Sequence, residues 1–118
     1  MKLSEAMRKG IECSEPTTGI FIAIGNNGKC QACALGAAML GFAECDVDSL
    51  LTYDGQNDIT SFLTAEHILR GYGVDMEYTI HDDKNERYGL VGNLIIHLND
   101  TRKLTREQIA DWLETLNL

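Results

Sequence analysis

The sequence has little proline and no long apolar segment. It contains one proline in 118 residues and no tract of low complexity. Its longest apolar runs, at residues 19–25 and 32–43, fall well short of the roughly 20 residues that a transmembrane helix requires. Because 44% of the residues are hydrophobic, intrinsic disorder is not expected either. The composition therefore predicts one globular domain over residues 1–118, with no membrane association.

Basic residues are missing from the centre of the chain. No lysine or arginine occurs between Lys29 and Arg70, and the whole chain has a net charge of −8. An acidic surface repels phosphate backbones, so direct nucleic-acid binding is disfavoured, whereas a protein partner with a basic surface would be attracted. The alternative is a solvated acidic loop that only aids solubility. The candidate partner-binding residues are Glu44, Asp46, Asp48, Asp54 and Asp58.

The N-terminal residues lack the layout of a secretory signal, in which a charged segment precedes an apolar one. We therefore expect a cytoplasmic location, in a bacterial host cell by the resemblance described below, and free thiols rather than disulfides. Cys30 and Cys33 form a Cys-x-x-Cys pair, but Cys13 and Cys45 are isolated in the sequence. Because no second close pair of ligands accompanies the first, we predict neither a metal site nor a cofactor. A thioredoxin-like redox site is also disfavoured, since no cis-proline signal follows the pair.

The pattern of apolar residues predicts an α+β fold, with about four helices packed on a small, mainly antiparallel sheet. Gly10 and Gly41 are interpreted as helix stops. Thr105 and Gln108 have the spacing of a capping box, which places a helix at the C-terminal end. The other helices are predicted at Glu5–Lys9, at about Cys33–Leu40, and at Ser61–Arg70.

Strands are predicted from β-prone or alternating segments. Ile20–Ile24 is a continuous apolar run and is interpreted as a strand buried on both faces. Val74–Ile80 alternates with period two, as a half-buried strand does. Leu90–Leu98 is ambiguous, because its apolar residues fit both a strand at Leu94–Leu98 and one face of a helix.

The segment from Asn27 to Ala34 resembles the nucleophile segment of papain-like cysteine hydrolases, in which a glycine and a structural cysteine precede the nucleophile at the start of a helix. The resemblance implies Cys33 as nucleophile and His97 as base, with Asn99 or Asp100 orienting the imidazole. Asn27 stands where that family has a glutamine, and no aromatic residue follows Cys33. The alternative is that Cys33 is a small buried apolar side chain.

Two longer stretches resemble a group of small uncharacterised proteins of bacteriophages and bacteria. They are Cys33-Ala-Leu-Gly-Ala-Ala38 and Ile95-Ile-His-Leu-Asn-Asp100, the second leading into Leu104–Leu113. The group has no known activity, so the resemblance implies a common origin and fold without indicating a chemistry.

These observations favour a non-enzymatic accessory protein, derived from a phage or mobile element, that binds a host or phage protein. Inhibition of a nucleic-acid-handling or defence factor is one form that this function could take. Two alternatives stay open. One is a minimal hydrolase that uses Cys33 and His97. The other is a structural module that self-associates, for example as a homodimer.

Overall fold

The computed structural model describes residues 1–51, 58–82 and 87–118, and the chain forms an α+β fold. The described α-helices are Leu3–Ile11 (α1), Ala34–Phe42 (α2), Val47–Leu51 (α3), Phe62–Gly71 (α4), Val91–Ile96 (α5) and Arg106–Thr115 (α6), with a π-helical segment at His97–Thr101. The described strands are Glu15–Pro16 (β1), Ile22–Ile24 (β2), Cys30–Ala32 (β3), Asp58–Ile59 (β4), Thr79–Asp82 (β5) and Arg87–Leu90 (β6).

Helices α1 and α2 approach each other closely at the centre of the core. A Cβ atom at Gly10 would lie 1.7 Å from the carbonyl oxygen of Ala37, and one at Gly41 would lie 1.7 Å from that of Ala6. Only glycine allows the two backbones to come so near. Each helix ends one residue after its glycine, at Ile11 and at Phe42, so the predicted positions of the helix ends are close to those observed. The role differs from the prediction, because both glycines are the last-turn residues that serve the contact rather than the residues that cap the helices.

The larger sheet has the strand order β1-β3-β2-β4 and packs against the start of α2. Strands β2 and β3 form an antiparallel hairpin around Gly28, which has a φ of 78°. Strand β1 is parallel to β3, so the sheet is mixed rather than purely antiparallel. Ile22 is fully buried, but Ile24 is 42% exposed beside the hairpin turn. The prediction of a strand buried on both faces is therefore wrong.

The predicted strand Val74–Ile80 is largely replaced by a turn. The Asp75 carboxylate accepts a hydrogen bond from the Glu77 amide at 2.9 Å, and the Asp75 carbonyl accepts one from the Tyr78 amide at 3.3 Å. This local bonding competes with strand pairing. Strand β5 begins only at Thr79, and it pairs with β6 in a separate two-stranded sheet.

The ambiguous segment Leu90–Leu98 is mainly helical after its first residue. Val91–Ile96 forms α5, and the chain continues into the π-helical segment. The helical interpretation is confirmed and the possible strand at Leu94–Leu98 is wrong, because Ile95 and Leu98 reach the core from a helical backbone. The described helices exceed the predicted four because α5 and the five-residue α3 were not counted among them.

The two best-capped helices begin where the sequence predicts. The Thr105 hydroxyl accepts a hydrogen bond from the Gln108 amide at 3.0 Å, and the Gln108 side chain accepts one from the Thr105 amide at 2.9 Å. The capping box of α6 is thereby confirmed. Helix α4 is likewise capped by Ser61, whose hydroxyl accepts a bond from the Thr64 amide.

Cys13 and Cys45 form a disulfide, so the prediction that all four cysteines are free thiols is wrong. After α2 the chain turns back, and the Cys45 amide donates to the Leu40 carbonyl at 2.7 Å. Cys45 therefore lies beside the end of α1, with 6.2 Å between the two cysteine Cα atoms. This separation falls within the range that a disulfide spans. Cys30 and Cys33 are free.

Candidate functional site

Cys33 lies at the N-terminus of α2 and is 5% exposed. Strand β3 delivers it to this position, and its sulfur accepts a hydrogen bond from the Gly36 amide at 3.4 Å. The thiol therefore serves as the N-cap of the most buried helix. This arrangement matches the interpretation of Cys33 as a buried core residue.

Asn99 and Asp100 meet the same end of α2 from the π-helical segment. The buried Asn99 side chain accepts a hydrogen bond from the Ala34 amide at 2.9 Å. It donates to the Asp100 carboxylate at 2.6 Å and to the Thr17 carbonyl at 3.2 Å. Asn99 thus satisfies a first-turn amide of α2 across 65 residues of sequence, which is a structural duty.

His97 is exposed and forms no side-chain hydrogen bond with Cys33, Asn99 or Asp100 within the described parts of the chain. A cavity of about 130 Å³ next to Cys33 is lined by Asp100, Thr60, Phe62 and Ile96, among others. His97 does not line it. The structure therefore brings Cys33, Asn99 and Asp100 together without the proposed base.

Electrostatics also disfavour a nucleophilic role for Cys33. The pKa of this thiol is raised to about 11, mainly by burial and to a smaller extent by the Asp100 carboxylate, against the opposing effect of the Gly36 amide. A reactive cysteine requires the reverse, because a nearby cation or imidazolium must lower the pKa of its thiol.

Alkylation should distinguish a buried thiol from a nucleophile. We expect native Cys33 to react with iodoacetamide at pH 8 at least about 100-fold more slowly than in the urea-unfolded chain, because both burial and the raised pKa deplete the thiolate. The Cys30→Ser variant leaves Cys33 as the single free thiol, so the extent of labelling measured by mass spectrometry in that variant reports on Cys33 alone. Native labelling as fast as that of the unfolded chain would contradict the burial of Cys33.

A second candidate site is a groove between α3 and α4, with a volume of about 370 Å³. We call it the acidic groove because exposed Asp48 directly precedes its lining residue Ser49, although none of the lining residues is itself acidic. Its walls are largely apolar, and Tyr72, which is 45% exposed, stacks on Phe42 with ring centroids 5.4 Å apart. Exposed Asp46 and Asp48 belong to the turn and first residues of α3. The groove is lined by Ser49, Leu50, His67, Ile68, Gly71 and Tyr72.

The structure divides the predicted acidic residues between two elements. Glu44, Asp46 and Asp48 are exposed on the turn between α2 and α3 and on α3 itself. Lys9 forms an ion pair with Glu44 at 3.8 Å, and the Asp46 carboxylate accepts a bond from the Ser49 amide at 3.3 Å. Asp58 is exposed on the separate strand β4. Asp54 lies outside the described residues.

Two features of this region were not predicted from the sequence. The disulfide holds the turn that carries Glu44, and both Glu44 and Cys45 have left-handed backbone angles, with φ of 54° and 64°. Tyr72 lies just after α4, where it contributes to the acidic groove. The sequence pattern that could have indicated a groove is the apolar pair Leu50-Leu51 next to acidic residues.

No protein-family model, curated protein or solved structure matches this chain. Among the described residues, no three His, Cys, Asp or Glu side chains are placed to hold one metal ion. In the same part of the chain, none of the helices combines the length and apolarity needed to cross a membrane.

Proposed function

We propose that this chain is a small acidic binding protein that captures a basic segment of a host or phage protein. The observation that carries the proposal is the position of the acidic groove. The groove has apolar walls formed by Leu50, Ile68 and Tyr72, and exposed Asp48 directly precedes its lining residue Ser49, with exposed Asp46 two residues earlier. Such a surface suits a partner segment that inserts one apolar side chain and surrounds it with lysine or arginine.

The charge around the acidic groove supports this partner chemistry. The sequence between Lys29 and Arg70 contains no basic residue, so α3 contributes only negative charge. Two described cations on α1 and α4 are engaged in ion pairs: Arg70 pairs with Glu66, four residues before it on α4, and Lys9 pairs with Glu44. A basic segment would therefore meet carboxylates without a competing cation from α3.

The resemblance to small phage and bacterial proteins supports the wider setting of the proposal. A phage-derived protein of this kind would act in the bacterial cytoplasm, and a basic target surface is typical of factors that handle nucleic acid. Occupying such a surface with an acidic protein would block the nucleic acid. Inhibition of a nucleic-acid-handling or defence factor is the form of the function that we propose.

Neutralising the carboxylates should weaken partner binding. We expect the double variant Asp46→Asn/Asp48→Asn to bind a lysine-rich peptide with one central leucine about five- to twentyfold more weakly, because two opposite-charge contacts are lost. Asparagine keeps the cap of α3, since it accepts the Ser49 amide as well as aspartate does. Isothermal titration calorimetry at low and at high salt measures the change.

The matched control removes two exposed carboxylates elsewhere. Glu5→Gln/Glu77→Gln alters the net charge equally but leaves the acidic groove intact. An equal loss of affinity in both double variants would mean that binding depends only on overall charge, and it would contradict the groove as the binding site.

The Tyr72→Ala variant tests the apolar wall of the groove. It should weaken peptide binding at high salt as much as at low salt, because salt does not screen apolar contacts.

A further inference from the structure

A cavity of about 430 Å³ lies on a different part of the molecule, where the loop after β1 meets the start of α6. One part of its wall comes from the loop after β1, with Thr17 and Thr18, and another comes from the segment that leads into α6, with Lys103 and Arg106. Two of the lining residues are therefore cations, in a chain whose net charge is −8. Glu107 is the one acidic residue that lines this cavity.

Arg106 is 5% exposed, and its guanidinium has only neutral acceptors. Nη1 donates to the Ser14 hydroxyl at 2.7 Å and to the Ala32 carbonyl at 3.3 Å, and Nη2 donates to the Ser14 carbonyl at 2.9 Å. None of the ion pairs formed within the described residues involves Arg106. Burial of a cation that only neutral acceptors bind is costly. The Glu107 carboxylate offsets this cost only in part, because burial still lowers the pKa of Arg106 on balance. A further anion in the adjoining cavity would therefore stabilise Arg106.

Lys103 adds a second positive charge to the lining of the cavity. It is exposed and has a left-handed φ of 54°. The residues on either side are fixed by main-chain bonds, since the Arg102 amide donates to the His97 carbonyl and the Leu104 amide donates to the Leu98 carbonyl, both at 3.0 Å. The backbone therefore holds Lys103 at this wall.

Buried polar side chains hold both walls in place. Asn99, 5% exposed, donates to the Thr17 carbonyl and accepts from the first turn of α2. Arg106 ties the start of α6 to Ser14 and to strand β3. The cavity is therefore preorganised, which reduces the entropy lost when a ligand binds.

We propose that this cavity binds a phosphate group, with charge supplied by Lys103 and Arg106 and with hydroxyl donors supplied by Thr17 and Thr18. Lysine and arginine both recognise phosphate oxygens through charge-assisted hydrogen bonds. The volume of about 430 Å³ exceeds what inorganic phosphate alone would fill, so a small phosphate monoester fits the site as well as the free ion. This proposal is independent of the acidic groove.

Titration with inorganic phosphate, followed by ¹⁵N–¹H correlation spectra at constant ionic strength, tests the site. We expect saturable shifts at the amides of Thr105–Glu107. Lys103→Gln should weaken binding about fivefold or more, because it removes one of the two positive charges. Glu107→Gln should strengthen binding, because it removes the opposing charge. Arg102→Gln is the matched control, since Arg102 is exposed next to the cavity without lining it, and its effect should stay below about twofold.

The class of ligand is determined by comparing the affinities of two probes, phenyl phosphate and inorganic phosphate. Tighter binding of phenyl phosphate than of inorganic phosphate would indicate a monoester ligand, and equal affinity would indicate the phosphate group alone; both support the site. Absence of saturable shifts at millimolar phosphate would overturn the proposal. So would unchanged affinity in a Lys103→Gln variant whose spectrum shows an intact fold, or equal shifts with chloride.

Discussion

Replacing Gly41 by alanine is expected to destabilise the protein by about 3 kcal/mol or more. The added methyl group would lie 1.7 Å from the Ala6 carbonyl oxygen, and its other near neighbours are also backbone atoms of Ala6. No side-chain rotation relieves that overlap, so α1 must move away from α2. Folded domains have only about 5–15 kcal/mol of stability. Urea denaturation followed by circular dichroism measures the loss.

The matched control for this prediction is Gly71→Ala at the end of α4. A Cβ atom there meets nothing within 4 Å, so we expect a change within about 0.5 kcal/mol of zero. Gly10→Ala provides a second test, because its methyl group would lie 1.7 Å from the Ala37 carbonyl oxygen. If Gly41→Ala and Gly71→Ala unfold at the same urea concentration, the close approach of α1 and α2 is wrong.

Reducing the Cys13–Cys45 disulfide is expected to lower the free energy of unfolding by about 3 kcal/mol. The two cysteines are 32 residues apart in the sequence, and the bond restricts the unfolded chain between them. The bond also holds the turn in which Glu44 and Cys45 have left-handed backbone angles. Urea denaturation of the purified protein with and without a dithiol reductant measures the difference.

The control for the disulfide is the Cys13→Ala/Cys45→Ala variant. Its stability should match that of the reduced protein and should not change when reductant is added. A thiol assay under denaturing, non-reducing conditions should find two free thiols among the four cysteines of the native sequence. Four free thiols in protein purified without reductant, or a denaturation midpoint that reductant leaves unchanged, would show that the bond does not stabilise this fold.

The predictions that held depend on neighbouring residues along the chain. Thr105 and Gln108 are three residues apart, so their reciprocal bonds form within one turn and the sequence suffices to locate α6. The start of the helix predicted at Ser61–Arg70 is local in the same way, because the Ser61 hydroxyl accepts a hydrogen bond from the Thr64 amide. The helical face of Val91–Ile96 was also visible as a spacing of apolar residues, although the strand interpretation fitted the same residues.

The predictions that failed depend on what distant segments do. Glycine is a common residue at the ends of helices, and only the crossing of α1 and α2 makes Gly10 and Gly41 contact residues. Asp75 is the exception, because its bond to the Glu77 amide is local and still interrupts a segment with strand periodicity. Cys13 and Cys45 meet because the chain turns back after α2, which no local pattern encodes.

The candidate sites follow the same division. The acidic character of the centre of the chain was determined by the sequence alone, because charge depends on composition. That an apolar groove forms between α3 and α4, and that the buried Arg106 guanidinium has only neutral hydrogen-bond acceptors, depends on how these helices and α6 pack. The sequence determined the capped ends of α4 and α6 and the overall charge, since these require only nearby residues. The tertiary structure alone decided the role of Cys33 and the positions of both cavities, because burial and long-range contacts exist only in the folded chain.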